Sequence, residues 1–146
     1  TSNNAILSGS TIGDNVVIGN RNNINFHVPS NSFVRNNTTS GFSGWWSEHS
    51  NMKGETLTFE KKMIVVGFGV EGRAFYSKHE KNVEAIIDNY SKNESVMTFN
   101  EFVEHKKVLN KDEVFVICST KYYDELYAML RKKYPDALIV SGDNFL

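Results

Sequence analysis

Apolar residues follow two different rhythms along the chain, and the change falls near residue 60. Before it, single branched apolar residues stand among Asn, Ser, Thr and Gly. After it, apolar runs of strand length alternate with segments of helical period. Because 146 residues with a hydrophobic fraction of 40% can build two small cores, the pattern predicts two modules.

The second module, residues 63–146, alternates strand and helix patterns. The predicted strands are "MIVVGF", "VEAIID", "EVFVICS" and "ALIVSG", and the predicted helices are "EGRAFYSKHEK", "TFNEFVEHKK" and "KYYDELYAMLRKKY". Strands separated by helices need crossover connections, which favour a parallel sheet covered by helices. We therefore expect a small α/β domain here.

The first module carries an internal repeat, because an isoleucine recurs every six residues at Ile6, Ile12, Ile18 and Ile24. A period of six suits a parallel β-helix in which each hexad forms one flat face, with Asn and Gly at the corners. Residues 5–35 resemble the hexapeptide-repeat, left-handed β-helix family, which has Ile-Gly pairs like those at 12–13 and 18–19. We expect a β-helix end over residues 1–36 and a linker over residues 37–62.

Four hexads make little more than one triangular coil, whereas repeat architectures need about three stacked units to cover their apolar faces. The β-helix segment should therefore be covered at its open end. A missing N-terminal domain, neighbouring copies in a homo-oligomer, or the second module could cover it. Since the chain does not begin with Met, we expect the C-terminal part of a larger protein.

A glycine loop opens the second module. The segment Gly67-Phe68-Gly69-Val70-Glu71-Gly72 fits G-x-G-x-x-G, follows a predicted strand and opens a predicted helix. Asp88 ends the next strand, where a ribose-binding carboxylate belongs. Gly67 would permit a tight turn, Gly69 would let a phosphate approach the backbone, and Gly72 would allow close helix packing. The alternative is that the glycines serve packing alone.

Two charged residues complicate the loop. Glu71 lies in the first helical turn, where a carboxylate suits the helix dipole but repels a phosphate if it points into the loop. Arg73 beside it could compensate for this charge. Alternatively, both side chains only decorate an exposed turn.

The second module resembles the Rossmann-like nucleotide-binding domains attached to bacterial polysaccharide and nucleotide-sugar enzymes. The resemblance rests on "IVVGFGVEGRAF" followed by "EAIIDN", and the glycine loop is also similar to the loop that opens the Mur ligases. It implies a nucleotide or nucleotide-sugar as ligand. By this resemblance the ligand-lining residues would be Gly67, Gly69, Gly72, Asp88, Ser119 and Thr120.

His27 is the candidate catalytic residue. Certain sugar acyltransferases of bacterial glycan assembly combine a hexapeptide β-helix with a Rossmann-like domain in the opposite chain order, and they use a β-helix histidine as general base. By this resemblance His27, the one histidine within the repeat, would be the base and acetyl-CoA the acyl donor. The alternative is a surface or corner residue. The other histidines lack metal-ligand spacing, so no metal site is predicted.

Charge and cysteine content narrow the partners. Sixteen basic and seventeen acidic residues nearly cancel, so no global field attracts nucleic acid or an anionic membrane. No apolar stretch approaches the ~20 residues of a membrane span. The single cysteine, Cys118, cannot form an internal disulfide, which favours a reducing, cytoplasmic location.

Three functional hypotheses follow. The first is a nucleotide- or nucleotide-sugar-binding module in the C-terminal part of a bacterial polysaccharide or glycan-biosynthesis transferase. The second is a sugar O- or N-acyltransferase that uses the β-helix. The third is a structural module whose glycine loop is empty. The sequence does not identify the base or the sugar.

Overall fold

The computed structural model describes residues 4–38, 41–45 and 61–144. The chain divides into two compact units, residues 1–60 with 143–146, and residues 61–142. No helix within the described ranges combines the length and apolar character that crossing a bilayer requires.

Short strands build the first unit. They are β1 (Ala5–Ile6), β2 (Thr11–Ile12), β3 (Val17–Ile18), β4 (Asn23–Ile24), β5 (His27–Val28), β6 (Ser32–Val34) and β7 (Gly44–Trp45). β1 pairs with β4, β2 with β5 and β3 with β6, all in parallel, whereas β7 is antiparallel to β6. The chain therefore returns alongside itself every 16 to 18 residues, as three successive hexads predict.

Asparagine occupies turns of the first unit that need a left-handed backbone. Asn15 and Asn31 have φ values of 55° and 60°, and the Asn15 side chain donates to Oδ1 of Asn31 at 3.2 Å. Asn tolerates this conformation better than most residues do. Arg21 and Asn37 also have a left-handed backbone, with φ values of 60° and 59°. The arginine at this position was not expected from the sequence.

The Ile-Gly pairs have a steric cause. A Cβ at Gly13 would lie 2.5 Å from the backbone nitrogen of Ser30, and one at Gly19 would lie 2.9 Å from that of Asn36. Both glycines therefore sit under the next turn of chain, where a side chain would push the turns apart.

The apolar residues of the first unit differ in burial along the chain. Ile24 and Val28 are fully buried, whereas Ile6 and Ile12 are 57% and 38% exposed. The uncovered apolar end expected from four hexads is thus found among the described residues. β7 falls inside the stretch predicted as linker, and its Trp45 is buried edge-on against Phe42 at 4.9 Å. The remaining predicted linker, residues 46–60, lies outside the described residues.

The second unit is a parallel sheet with helices. Its strands are β8 (Lys62–Val66), β9 (Val83–Ile87), β10 (Glu113–Ile117) and β11 (Ile139–Ser141), in the order β11-β10-β8-β9 and all parallel. Its α-helices are α1 (Val70–His79), α2 (Phe99–His105) and α3 (Tyr123–Lys133). This confirms the predicted α/β class with a four-stranded parallel sheet and flanking helices.

Apolar strands and the inner faces of helices form the core of the second unit. Phe115 of β10 is fully buried and packs near Phe102 of α2 and Tyr134 after α3. Leu130 of α3 is also fully buried. Helix α2 begins at a capping box, in which the Thr98 side chain accepts from the Glu101 N–H and the Glu101 carboxylate accepts from the Thr98 N–H.

The strand order determines where a ligand can bind. β8 leads through α1 to its neighbour β9 on one side, whereas the chain next enters β10 on the other side of β8. In open α/β sheets, such a reversal leaves a crevice at the carboxyl ends of the two strands concerned. The glycine loop after β8 and residues 118–120 after β10 flank this point.

Candidate functional site

The glycine loop turns sharply at the end of β8. Gly67 has a φ of +95°, a conformation that L side chains rarely adopt, and its N–H donates to the Ile87 carbonyl at 2.9 Å. Helix α1 then begins at Val70 with Gly69 as its N-cap residue. The strand, loop and helix therefore follow one another as the motif predicts.

The three glycines have different steric surroundings. A Cβ at Gly72 would lie 2.0 Å from the Gly67 carbonyl oxygen, so Gly72 lets the helix pack closely on the loop. No described heavy atom lies within 4 Å of a Cβ built at Gly69, whose φ is an ordinary −82°. Packing around the side-chain position thus does not account for glycine here, although glycine is an acceptable N-cap residue.

Asp88 lies against the glycine loop, although twenty residues separate it from Phe68. Its Oδ2 accepts the Phe68 N–H at 2.7 Å and its Oδ1 accepts the Tyr90 N–H at 2.8 Å. The structure therefore brings together the loop and the carboxylate that the sequence paired. Because an ionised carboxylate has about four acceptor positions, two remain for a further donor such as a hydroxyl.

Residues after β10 complete this edge. The Ser119 hydroxyl oxygen accepts the Tyr122 N–H at 3.2 Å. The Thr120 N–H and hydroxyl donate to Oε2 of Glu71 at 2.8 Å and 3.2 Å. Thr120 thus lies beside the start of α1 and already holds a carboxylate, and Ser119 precedes it in the segment after β10.

Sequence reasoning missed the partner of Glu71. Arg73, which could have compensated the charge of Glu71, instead donates from its guanidinium Nε to the Gly69 carbonyl at 3.3 Å. Glu71 is 49 residues from Thr120 in sequence, so only the strand order could have indicated their contact.

Exposed apolar side chains also follow three strands at this edge. Val70 is 79% exposed after β8, Tyr90 is 94% exposed after β9, and Tyr122 is 50% exposed after β10. Large exposed apolar groups near convergent polar groups are typical of ligand sites, and aromatic rings can stack on a base. The pattern of the sequence alone gave no signal for them.

His27 lies apart from this set, in the first unit. It is exposed on β5, and its Nδ1 is hydrogen-bonded to the hydroxyl of Thr11 on the paired strand β2. Its partner is therefore a neutral hydroxyl rather than a carboxylate that would orient and strengthen a general base. Within residues 4–38, 41–45 and 61–144, no group of three His, Cys, Asp or Glu could hold a metal ion.

Comparisons with protein-family models, with curated proteins and with solved structures gave no match to this chain.

Proposed function

We propose that the second unit binds a nucleotide or nucleotide-sugar at the carboxyl edge of its sheet. The observation that carries the proposal is Gly69, which is exposed in the loop between β8 and α1 and has open space at the position of a side chain. A glycine in such a place lets a phosphate approach the backbone and the first turn of the helix.

The surrounding residues have matching chemistry. The N–H groups at the start of α1 provide donors for a phosphate, because the first turn of a helix leaves them without intrahelical partners. Asp88, fixed by the Phe68 and Tyr90 N–H groups, retains acceptor positions for sugar hydroxyls. Ser119 provides a hydroxyl after β10, on the other side of the crevice, next to the Thr120 donors that hold the Glu71 carboxylate.

We further propose that the first unit is the end of a left-handed β-helix of the hexapeptide type. Parallel pairing at intervals of 16 to 18 residues, left-handed asparagines at the turns and sterically required glycines support this. Combined with a nucleotide-sugar site, it suggests a cytoplasmic transferase of bacterial polysaccharide biosynthesis.

Calorimetry with nucleotides and nucleotide-sugars tests the binding proposal. We expect the wild type to bind at least one of them and Gly69→Val to lose binding by more than about a hundredfold, because the branched side chain would occupy the phosphate position. Since the space around Gly69 is open, Gly69→Val should stay folded and lose no more than about 1 kcal/mol of stability, which is the cost of a poorer N-cap residue. A wild type that binds none of these ligands would overturn the proposal.

The acyltransferase alternative rests on His27, whose ring is exposed and held by Thr11. It predicts acetyl-CoA turnover that disappears in His27→Ala and persists in Gly69→Val. The binding proposal instead predicts that nucleotide binding persists in His27→Ala and is lost in Gly69→Val.

A further inference from the structure

Glu71 links the glycine loop after β8 to residues 118–120 after β10. These two segments flank the crevice at the reversal in strand order. Glu71 is exposed in the first turn of α1, within the G-x-G-x-x-G segment, and its Oε2 accepts two hydrogen bonds from Thr120 after β10. An N–H and a hydroxyl that converge on one oxygen are the donors that a phosphate oxygen would use. The protein's own carboxylate therefore occupies an anion position at this edge.

This arrangement distinguishes ligands by charge. A terminal phosphate that reached the Thr120 donors would have to displace Glu71 and would remain close to its negative charge. Like charges within hydrogen-bonding distance of the same donors repel even at an exposed site. A ligand whose far end is uncharged escapes this repulsion.

The same carboxylate can recognise hydroxyl groups. Both hydrogen bonds from Thr120 end on Oε2, and Oε1 accepts none from the residues that the structure describes. A sugar hydroxyl can donate to Oε1, whereas a phosphate oxygen, which has no proton to donate at neutral pH, cannot.

We propose that Glu71 determines specificity at this site, favouring nucleoside diphosphate sugars over nucleoside triphosphates. The inference rests on the proposed function, since it presumes that a nucleotide lies on the glycine loop. Its diphosphate would meet Gly69 and the start of α1, and its glycosyl group would meet Glu71 instead of a third phosphate.

Matched ligand pairs test this inference. Affinities of ATP and ADP-glucose, UTP and UDP-glucose, and GTP and GDP-glucose are measured by calorimetry on the wild type and on Glu71→Gln. For the base that binds best, the wild type should bind the nucleoside diphosphate sugar more tightly than the nucleoside triphosphate. Glu71→Gln, which keeps an oxygen for Thr120 but removes the charge, should strengthen triphosphate binding about tenfold or more and change diphosphate-sugar binding less than about threefold.

Glu80→Gln is the matched control, because it removes the same charge from an exposed residue beyond the other end of α1. It should leave both affinities unchanged. If the wild type binds and Gly69→Val does not, but Glu71→Gln keeps the wild-type preference, this inference fails while the proposed site stands. If neither the wild type nor Glu71→Gln binds any ligand, both fail.

Discussion

The two edges of the parallel sheet use carboxylates in different ways. At the carboxyl edge, Asp88 and Glu71 accept hydrogen bonds from loop N–H groups and Thr120, and Glu71 is exposed. At the amino edge, Glu113 begins β10 and is only 3% exposed. Lys106 is hydrogen-bonded to its Oε2, and the Asn110 N–H donates to its Oε1 at 2.8 Å.

The two edges differ in whether their carboxylates are paired with a cation. The Lys106 ammonium also contacts Glu84 of β9 at 3.1 Å, so one cation is shared by two carboxylates within one cluster and offsets one of their two charges. The carboxyl edge has no equivalent cation on Asp88 or Glu71 among the described ion pairs. This difference supports the proposed ligand site at the carboxyl edge and indicates a stabilising role for the cluster at the amino edge.

Replacing Lys106 by Met should disrupt the charged cluster at the amino edge and give the largest loss of stability among these variants. It leaves the buried Glu113 carboxylate without its cation, and breaking a buried pair in this way costs about 3 kcal/mol or more. Urea unfolding monitored by circular dichroism measures the change. Lys107→Met removes the same charge from an exposed neighbour and should change stability by less than about 0.5 kcal/mol. Equal losses in the two variants would contradict this stabilising role.

The glycine loop gives the next largest effect. Gly72→Ala should destabilise the protein by about 2 kcal/mol, because the new Cβ would lie 2.0 Å from a backbone oxygen that cannot easily move. Gly69→Ala is the matched control in the same loop and should cost about 1 kcal/mol or less, because its Cβ enters open space and only the N-cap preference for glycine over alanine is lost. If both variants melted alike, the proposed division of roles between the glycines would be wrong.

Much of this fold was predictable because local patterns carry it. The apolar runs "MIVVGF" and "EVFVICS" are short and bounded by polar residues, so they indicated buried strands. Gly67 and Asp88 could be paired because the spacing between a glycine loop and the end of the next strand is set by one helix and one strand. The exposed end at Ile6 followed from counting hexads.

The remaining contacts depend on strand order, which local patterns do not encode. Glu71 meets Thr120 because β10 lies beside β8, although a helix, a strand and a second helix separate them in sequence. Lys106 likewise meets Glu84, which is 22 residues away in sequence. Trp45 lay in a stretch that looked like a linker, and its burial depends on β7 pairing with β6.

A smaller effect should come from Asp88. Asp88→Asn keeps the size of the side chain but replaces a charge-assisted bond to the Phe68 N–H with a neutral one, and it offers only one acceptor oxygen for two N–H groups. We expect a loss of about 1 kcal/mol in the free energy of unfolding. Asn89→Ala, which loses the hydrogen bond from the Phe99 N–H to its side chain, calibrates an ordinary loop contact. An Asp88→Asn variant as stable as the wild type would show that the carboxylate does not fix the loop.

The smallest effect is the pH dependence of the amino edge, where two carboxyl groups act in opposite directions. Burial works to raise the pKa of Glu113, but hydrogen bonds with Glu84, Lys106 and the Asn110 N–H outweigh it, so its pKa is lowered in the folded state from 4.5. Burial, together with the neighbouring Glu113, raises the pKa of Glu84 above 4.5. The stability that Glu113 contributes is present above its unfolded pKa and is lost as the pH falls through its folded pKa.

Glu84 has the opposite sign, because the folded state takes up its proton first and gains stability as the pH falls through that raised pKa. A fall in pH therefore favours the folded state through Glu84 above pH 4.5 and disfavours it through Glu113 below pH 4.5. Glu84→Gln removes the stabilising contribution, so the free energy of unfolding should begin to fall at a higher pH than in the wild type. Urea unfolding from pH 3 to 7 measures this shift, with Glu80→Gln as the exposed control. Identical pH profiles in Glu84→Gln and the wild type would mean that the two carboxylates titrate independently, and the cluster at the amino edge would then be a set of separate ion pairs.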